Sequence, residues 1–419
     1  MRLIKKFLKV VGILFLALFI TANIFIALSG KFYIYKGVSS TYLIGKTGPT
    51  IYDLDQFEFS TIKAAKKTFP LYHSPNYNFF QLNIEDKEWF KELKTKSFIV
   101  LKNDSLVFEK YYEGHTEETV SNSFSAIKTL VAILVGIAIE DGNISNVDDK
   151  ICTYLPEFCS EGKEKITIRH LLTMSSGLSW TESTKNPFSN NAESYYGTDL
   201  HQLVTQQTLI TEPGKTFNYQ SGNTQLLGFI VEKATGIDLT EYAQTRIWQR
   251  IGTEHEAYWS LDKENGDEKS FCCWYATSRD YARLGQLLLH EGEINGEQII
   301  PIDYFKEMIK PANIQTKVNT PNFCYGLQTW LYSGGKHQVN YYRGANGQYI
   351  ITVPKENLVI VRLGEKRNPN YIFTAEELKN KSFYEENKFK VEQSPDFIRY
   401  LELGEEISTF EKNRVCVKN

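Results

Sequence analysis

Positive charge is not in excess in this chain. Lys and Arg number 47 against 50 Asp and Glu, which gives a net charge of −3 and a pI near 6.2. Without a basic field there is nothing to hold a polyanion, so no nucleic-acid partner is expected. No C-x-x-C pair, no Cys/His cluster and no H-E-x-x-H helix is present, and no metal or cofactor is read from the chain. The seven histidines are isolated, and His170, in an apolar helical stretch, reads as structural. No internal repeat or low-complexity tract is found. Of the six cysteines, Cys152 and Cys159 bracket a short loop and are spaced to pair, Cys272 and Cys273 are adjacent, and Cys324 and Cys416 stand alone. Most of them read as ordinary buried thiols.

What is present begins at the N-terminus. Arg2, Lys5, Lys6 and Lys9 precede an uncharged run from Val10 to Leu28, which as a helix matches the hydrocarbon core of a bilayer at about 1.5 Å per residue. Positive charge ahead of a span stays cytoplasmic, so the remainder of the chain is expected on the far side. A cleaved signal peptide competes, since Ala27-Leu28-Ser29 suits a processing site. The run is longer than an ordinary signal core, and a retained single-pass anchor in the inner (cytoplasmic) membrane, with a periplasmic domain, is the preferred reading. No cysteine near its end supports lipidation.

Residues 1–30 are thus assigned to the anchor and 31–86 to a polar, aromatic-rich juxtamembrane extension. Ser97–Leu101 and Leu106–Tyr112 form a strand pair around Lys102-Asn103-Asp104-Ser105. Helical patterns follow over Ile166–Met174, Thr224–Ala234, Leu239–Ile251 and Asp280–His290, with a Ser/Thr/Asn/Gly-rich loop at 175–215. Four strands then occupy Tyr325–Tyr332, Gln338–Tyr342, Gln348–Val353 and Leu358–Leu363, before a terminal helix at Asp396–Leu403. Strands early, helices in the middle and strands late predict an α+β fold. Its antiparallel sheet, flanked by helices, takes strands from both ends of an 87–419 domain. Residues 87–120 and 270–419 form the sheet lobe and 121–269 an inserted, mainly helical lobe.

The stretch SFSAIKTLVAILVGIAIEDG, from Ser123 to Gly142, organises the rest. Ser125 and Lys128 stand three residues apart on one face of a helix, so Nζ can reach Oγ. Leu130–Ile139 is uncharged, as in a helix buried on all sides. A lysine in such a first turn is desolvated, which lowers its pKa toward that of a general base. Ser125 also lies where free N–H groups and the helix dipole favour an oxyanion. The S-x-x-K spacing recurs at Ser60/Lys63, Ser160/Lys163, Ser260/Lys263 and Ser333/Lys336, but only Ser125 opens a long buried helix. No G-x-S-x-G surrounds it, which excludes an α/β-hydrolase elbow. Tyr219, in FNYQSGNTQLLG, is the candidate third group, because a phenol beside an ammonium ion has its pKa lowered and can shuttle a proton.

Ser125-x-x-Lys128, then Tyr219-x-Ser221, then a Gly-rich strand turn near 344 resemble the class C β-lactamase and penicillin-binding-protein family of serine hydrolases. ITIRHLLTMSSGLSW, FNYQSGNTQLLGFIVEKATG and GANGQYIITVP resemble its branch of esterases, D-amino-acid peptidases and 6-aminohexanoate-dimer hydrolases. The resemblance spans roughly residues 95 to 365. It implies Ser125 as acylated nucleophile, Lys128 as base and Tyr219 as proton shuttle. It also implies the backbone N–H groups of Ser125 and Ala345 as oxyanion hole.

Ser221 stands where class C lactamases carry Asn, and its hydroxyl is expected on Lys128. Tyr342-Arg343-Gly344 replaces the family's Lys-Thr-Gly, which argues against efficient β-lactam hydrolysis. These residues are retained as candidate substrate contacts, with Gly344 letting the strand approach substrate. Strand alternation turns Arg343 away from Tyr342 and Gly344. The triplet Lys46-Thr47-Gly48 precedes the serine and is read as coincidence.

Two readings follow. One is a membrane-anchored serine hydrolase acting on a small-molecule or peptide ester or amide. The other is a non-hydrolytic module that binds penicillin or peptidoglycan peptides.

Overall fold

The computed structural model describes residues 2–183 and 185–417. The chain opens with helices α1 (Arg2–Ser29) and α2 (Tyr33–Ser40), strand β1 (Phe59–Ile62) and helix α3 (Ile84–Glu92). The hairpin β2 (Thr95–Lys102) and β3 (Ser105–Tyr111), the short β4 (Ser121–Asn122) and α4 (Ile127–Glu140) come next. The middle of the chain holds α5 (Ile168–Leu172), α6 (Asn190–Tyr196), α7 (Leu200–Thr205), α8 (Ser221–Thr235) and α9 (Leu239–Ala243). Then follow β5 (Ala257–Ser260), β6 (Trp274–Ala276), α10 (Ser278–Leu289), the hairpin β7 (Glu293–Ile294) and β8 (Glu297–Gln298), and α11 (Ile302–Met308). Strands β9 (Trp330–Tyr332), β10 (Val339–Gly344), β11 (Gln348–Val353) and β12 (Leu358–Gly364) precede α12 (Ala375–Lys379), α13 (Lys381–Asn387) and α14 (Pro395–Val417).

The main sheet has six antiparallel strands in the order β3-β2-β12-β11-β10-β9. It joins the early hairpin to the late strands through β2 and β12, Leu358 facing Lys102 and Val361 facing Ile99. The fold class expected from the order of elements is the one observed. Side chains alternate between two cores: Ile99 and Leu101 face the helical lobe, and Phe98 and Val100 face the terminal helix with Phe397 and Tyr400. Helix α10 covers one face and α14 the other. A strand covered on both faces reads as an unbroken apolar run, as FIVL and LVIV do.

Three expectations change. Residues 31–86, read as a juxtamembrane extension, contribute a strand to the fold: β1 pairs with β5 from Phe59↔Ser260 to Ile62↔Ala257, in a small sheet ordered β1-β5-β6-β4. Single buried side chains, Ile51, Phe57 and Ile62, anchor this stretch, and such spacing leaves no periodic signal. The terminal helix runs far beyond Leu403. Four of the cysteines are bridged, as Cys152–Cys159 and Cys272–Cys273, while Cys324 is a free buried thiol. Helix α1 is the one described helix long and apolar enough to cross a membrane.

Helix α4 is the centre of the packing, with every residue from Ile127 to Ala138 buried, against α8 and β10. Its Gly136 admits α11: a Cβ there would lie 2.4 Å from the ring of Tyr304, whose hydroxyl is tied to the Ala132 carbonyl at 2.7 Å. Gly136→Ala gains about 1 kcal/mol of helix propensity but overpacks a clamped ring at about 1–3 kcal/mol. The clash wins, and the urea midpoint followed by tryptophan fluorescence falls at unchanged m-value.

Candidate active site

The chain turns a sharp corner where β4 meets α4. Asn122 Oδ1 accepts the Phe124 N–H at 2.8 Å, Ser123 N–H donates to the Trp274 carbonyl at 2.8 Å, and Phe124 adopts φ +45°. Left-handed backbone at a bulky residue costs on the order of 1 kcal/mol and persists because the Phe124 side chain is buried. Ser125 sits on the outside of this corner, the one residue between 121 and 138 that is not buried.

One turn on, Lys128 Nζ donates to Ser125 Oγ at 2.9 Å and to the Phe271 carbonyl at 2.7 Å. The ammonium group lies 5.2 Å from the centroid of Tyr219 and 5.7 Å from that of Phe271. Burial lowers its pKa from 10.5 to about 8, against the opposing charge of Glu182. That shift amounts to roughly 3 kcal/mol against the charged form. Desolvation therefore outweighs the carboxylate, and a neutral fraction exists near neutral pH.

Tyr219 corrects one expectation. Its pKa is raised, first by burial and then by the charge of Glu182; its hydrogen bond with Ser125 and the charges of Arg343 and Arg367 oppose this. Tyr325 and Trp330, at ring centroids of 6.1 and 5.6 Å, supply the dry surroundings. The nearby lysine does not reverse the balance, and the group is a neutral phenol and not a phenolate.

Ser221 corrects another. Its hydroxyl donates to Glu182 Oε1 and its N–H to Oε2, both at 2.7 Å, and not to Lys128. Glu182 Oε2 also accepts the Trp180 indole N–H at 2.7 Å. A carboxylate is favourable there because Ser221 begins α8, where unpaired N–H groups and the helix dipole attract negative charge. Glu182 escaped the sequence reading. It is the sole acid between Thr173 and Glu193 in a Ser/Thr/Asn-rich loop, which was the available signal.

The strand side is mixed. Gly344 is required by close approach, since a Cβ would fall 2.0 Å from the Ser123 carbonyl oxygen. It lets β10 close on the corner that carries Ser125, not on open space. Ala345 starts the next turn, which buried Arg362 holds through the carbonyls of Asn346 and Gly347 at 2.9 and 2.8 Å, while Gln348 Nε2 holds the Ala345 carbonyl at 2.9 Å. Tyr342 is spent in the core: it is fully buried and its hydroxyl donates to the Leu284 carbonyl on α10 at 3.2 Å. Arg343 lies on the opposite face, as alternation predicted, 3.3 Å over the Trp330 ring and bonded to the Glu392 carbonyl at 2.6 Å. The same indole lies 5.6 Å from the Tyr219 ring, and the Arg343 charge acts on that phenol.

The stretch containing Lys46-Thr47-Gly48 borders this turn. The Pro49 carbonyl accepts Asn346 Nδ2 at 3.2 Å, the Ile51 carbonyl accepts the Asn122 N–H at 2.9 Å, and Lys46 pairs with Asp53 at 2.8 Å. Among the described residues, the acids with ligand-like spacing are Glu232, Asp238 and Glu268. They gather at the other end of α8, about 16 Å along the helix from Ser221.

The family model described as Beta-lactamase matches residues 90–378. A 6-aminohexanoate-dimer hydrolase of Paenarthrobacter ureafaciens is 23% identical over 303 residues, 67% of this chain and 75% of that protein. Among solved structures, a Bacillus anthracis protein provisionally described as a 6-aminohexanoate-dimer hydrolase has TM-score 0.66 and 23% identity, covering 82% of this chain and 93% of its own. The octameric penicillin-binding protein homologue from Pyrococcus abyssi has TM-score 0.55 and 18% identity, covering 74% and 77%.

Glu182 holds the Lys128 pKa up by its charge. Glu182→Gln removes that charge, so the neutral fraction of Lys128 rises at any given pH. The pH midpoint for labelling of Ser125 by a fluorophosphonate is expected to move below about 8. An unmoved midpoint means that the carboxylate does not act on Lys128.

Proposed function

This chain belongs to the β-lactamase family of hydrolases, and from that premise we propose that it is a membrane-anchored serine hydrolase that cleaves an ester or amide through an acyl-enzyme on Ser125. The observation that carries the reading is the 2.9 Å contact between Ser125 Oγ and the desolvated Lys128 amine, with Tyr219 on the same hydroxyl. An amine whose ammonium form is disfavoured, within hydrogen-bond reach of a hydroxyl, can take that hydroxyl's proton. In this mechanism neutral Lys128 takes the proton of Ser125 as Oγ attacks the carbonyl carbon. The backbone N–H groups of Ser125 and Ala345 receive the developing oxyanion. Tyr219, held as a neutral phenol, hands a proton to the departing alkoxide or amine and is reprotonated from Lys128. Water then enters along the reverse relay and releases the acid.

An amide or ester is favoured over a β-lactam. No cation stands at position 342, and the Arg343 guanidinium is engaged on Trp330 and the Glu392 carbonyl. The name of the Paenarthrobacter relative, a hydrolase of a 6-aminohexanoate dimer, is in keeping with amide cleavage. Helix α1 reads as a single-pass anchor of the cytoplasmic membrane: its 28 residues span about 42 Å, and its N-terminal lysines favour the cytoplasmic side. The catalytic domain is then extracytoplasmic.

The detergent-solubilised chain treated with a fluorophosphonate is expected to gain one adduct by intact mass, absent in Ser125→Ala. The labelling rate rises about tenfold per pH unit and levels off above about pH 8, because the reactive form is deprotonated Lys128. A folded wild-type chain that takes no adduct would transfer support to the non-hydrolytic module that binds penicillin or peptidoglycan peptides.

A further inference from the structure

Two segments bonded to residues of the candidate site lead toward exposed apolar side chains near the end of α1. The first comprises Glu182 and residues 185–196. It meets the C-terminal part of α1, where Phe188 and Phe25 are 5.6 Å apart, and α2, where the Tyr33 hydroxyl donates to the Pro187 carbonyl at 3.0 Å. Lys31 pairs with Glu193 at 3.1 Å alongside. The second is the 45–53 stretch, whose Pro49 and Ile51 carbonyls accept from Asn346 Nδ2 and the Asn122 N–H, close in sequence to Gly344 and Ser125. The residues immediately before that stretch are Tyr42, Leu43 and Ile44, exposed at 68, 76 and 56%. Phe32 and Tyr35 add 58 and 45% exposure from the start of α2. Exposed apolar and aromatic side chains grouped at the end of a span are suited to the headgroup boundary, where an amphipathic ring has one wet and one dry side.

We infer that the surface formed by Phe32, Tyr35 and Tyr42–Ile44 docks on the lipid headgroup layer, and that the site opens beside it to an acyl amphiphile whose scissile carbonyl lies at headgroup depth. The inference rests on the anchor and hydrolase readings above. The occupant is a bilayer and not a protein because the surface is continuous with α1, whose side chains from Leu3 to Phe25 are largely exposed, Ile26 being its one buried residue. Phe32 follows Ser29, the end of α1, by three residues, and the Tyr35 hydroxyl donates to Asn23 Oδ1 of α1 at 2.6 Å, so the start of this surface is held at the end of the span.

The test uses the full chain in nanodiscs of phosphatidylcholine and phosphatidylglycerol, with Cys324 and Cys416 changed to alanine and a nitroxide on Leu43→Cys. The label is expected to be relaxed by oxygen and shielded from a water-soluble nickel chelate, and a label on Ile237→Cys, on the far helical lobe, to behave oppositely. Equal access of the chelate to both positions overturns the docking. So does shielding of position 43 from both reagents, which indicates a second copy on the surface. A label on Leu14→Cys separates the premises: if it too is open to the chelate, the anchor reading fails and the docking with it.

The substrate class is tested by turnover of 4-nitrophenyl palmitate dissolved in the disc and of 4-nitrophenyl acetate in water. The triple variant Tyr42→Ser, Leu43→Ser, Ile44→Ser is expected to lose about tenfold on the palmitate and to keep the acetate rate. Parallel losses, or none, overturn the inference. Absence of both activities in a wild-type chain that also takes no fluorophosphonate overturns the hydrolase premise and the substrate class, whatever depth position 43 reports.

Discussion

The contact between Lys128 Nζ and Ser125 Oγ depends on a helix buried all round, and the remaining features of the site adjust to that constraint. A lysine on a surface helix would keep its water and its charge. On α4 it has one carbonyl, one hydroxyl and two aromatic faces instead of a hydration shell. The loss of water acts on the charged form alone, which is why the shift is downward although the facing Glu182 pulls the other way. The same dryness pushes the Tyr219 phenol upward. One environment thus separates the two groups into an amine that can accept a proton and a phenol that keeps one.

Around this pair the backbone is held from several directions. The corner at Phe124 aims Ser125 outward, and Gly344 lets the main sheet close on the Ser123 carbonyl. Arg362 is a cation inside the central strand β12, fully buried, and it is satisfied by carbonyls of Asn346, Gly347 and Leu93 and the hydroxyl of Thr95. A buried guanidinium without such partners would be strongly unfavourable, so its presence ties the turn at Ala345 to the sheet. Glu182 performs the corresponding task on the helical side, tying the loop over the site to the first turn of α8.

Much of the fold was legible because its signals are local. The apolar run of α4 and the apolar runs of β2 and β12 each depend on residues adjacent or a few positions apart. The 31–86 stretch was not legible. Its buried residues are isolated, and its hydrogen bonds run to Ser260, Asn122 and Asn346, remote in sequence. The bridge Cys272–Cys273 was hidden for a related reason: adjacency in sequence says nothing of the turn that lets two sulfurs meet.

By itself the sequence determined the order of elements, the spacing of Ser125 and Lys128, and the apolar run behind them, since each follows from residues close together in the chain. Tertiary structure decided the rest. Ser221 bonds to Glu182 because the fold places a carboxylate from a distant loop at the α8 N-terminus. Tyr342 left the site because its strand face looks onto α10, and Arg343 was drawn to Trp330 across the opposite face. The direction of the Tyr219 shift was settled by Tyr325 and Trp330, which lie about a hundred residues away in sequence and exclude water from the phenol. Charge state and side-chain partner depend on which groups the fold brings within a few ångströms, and that information is nonlocal.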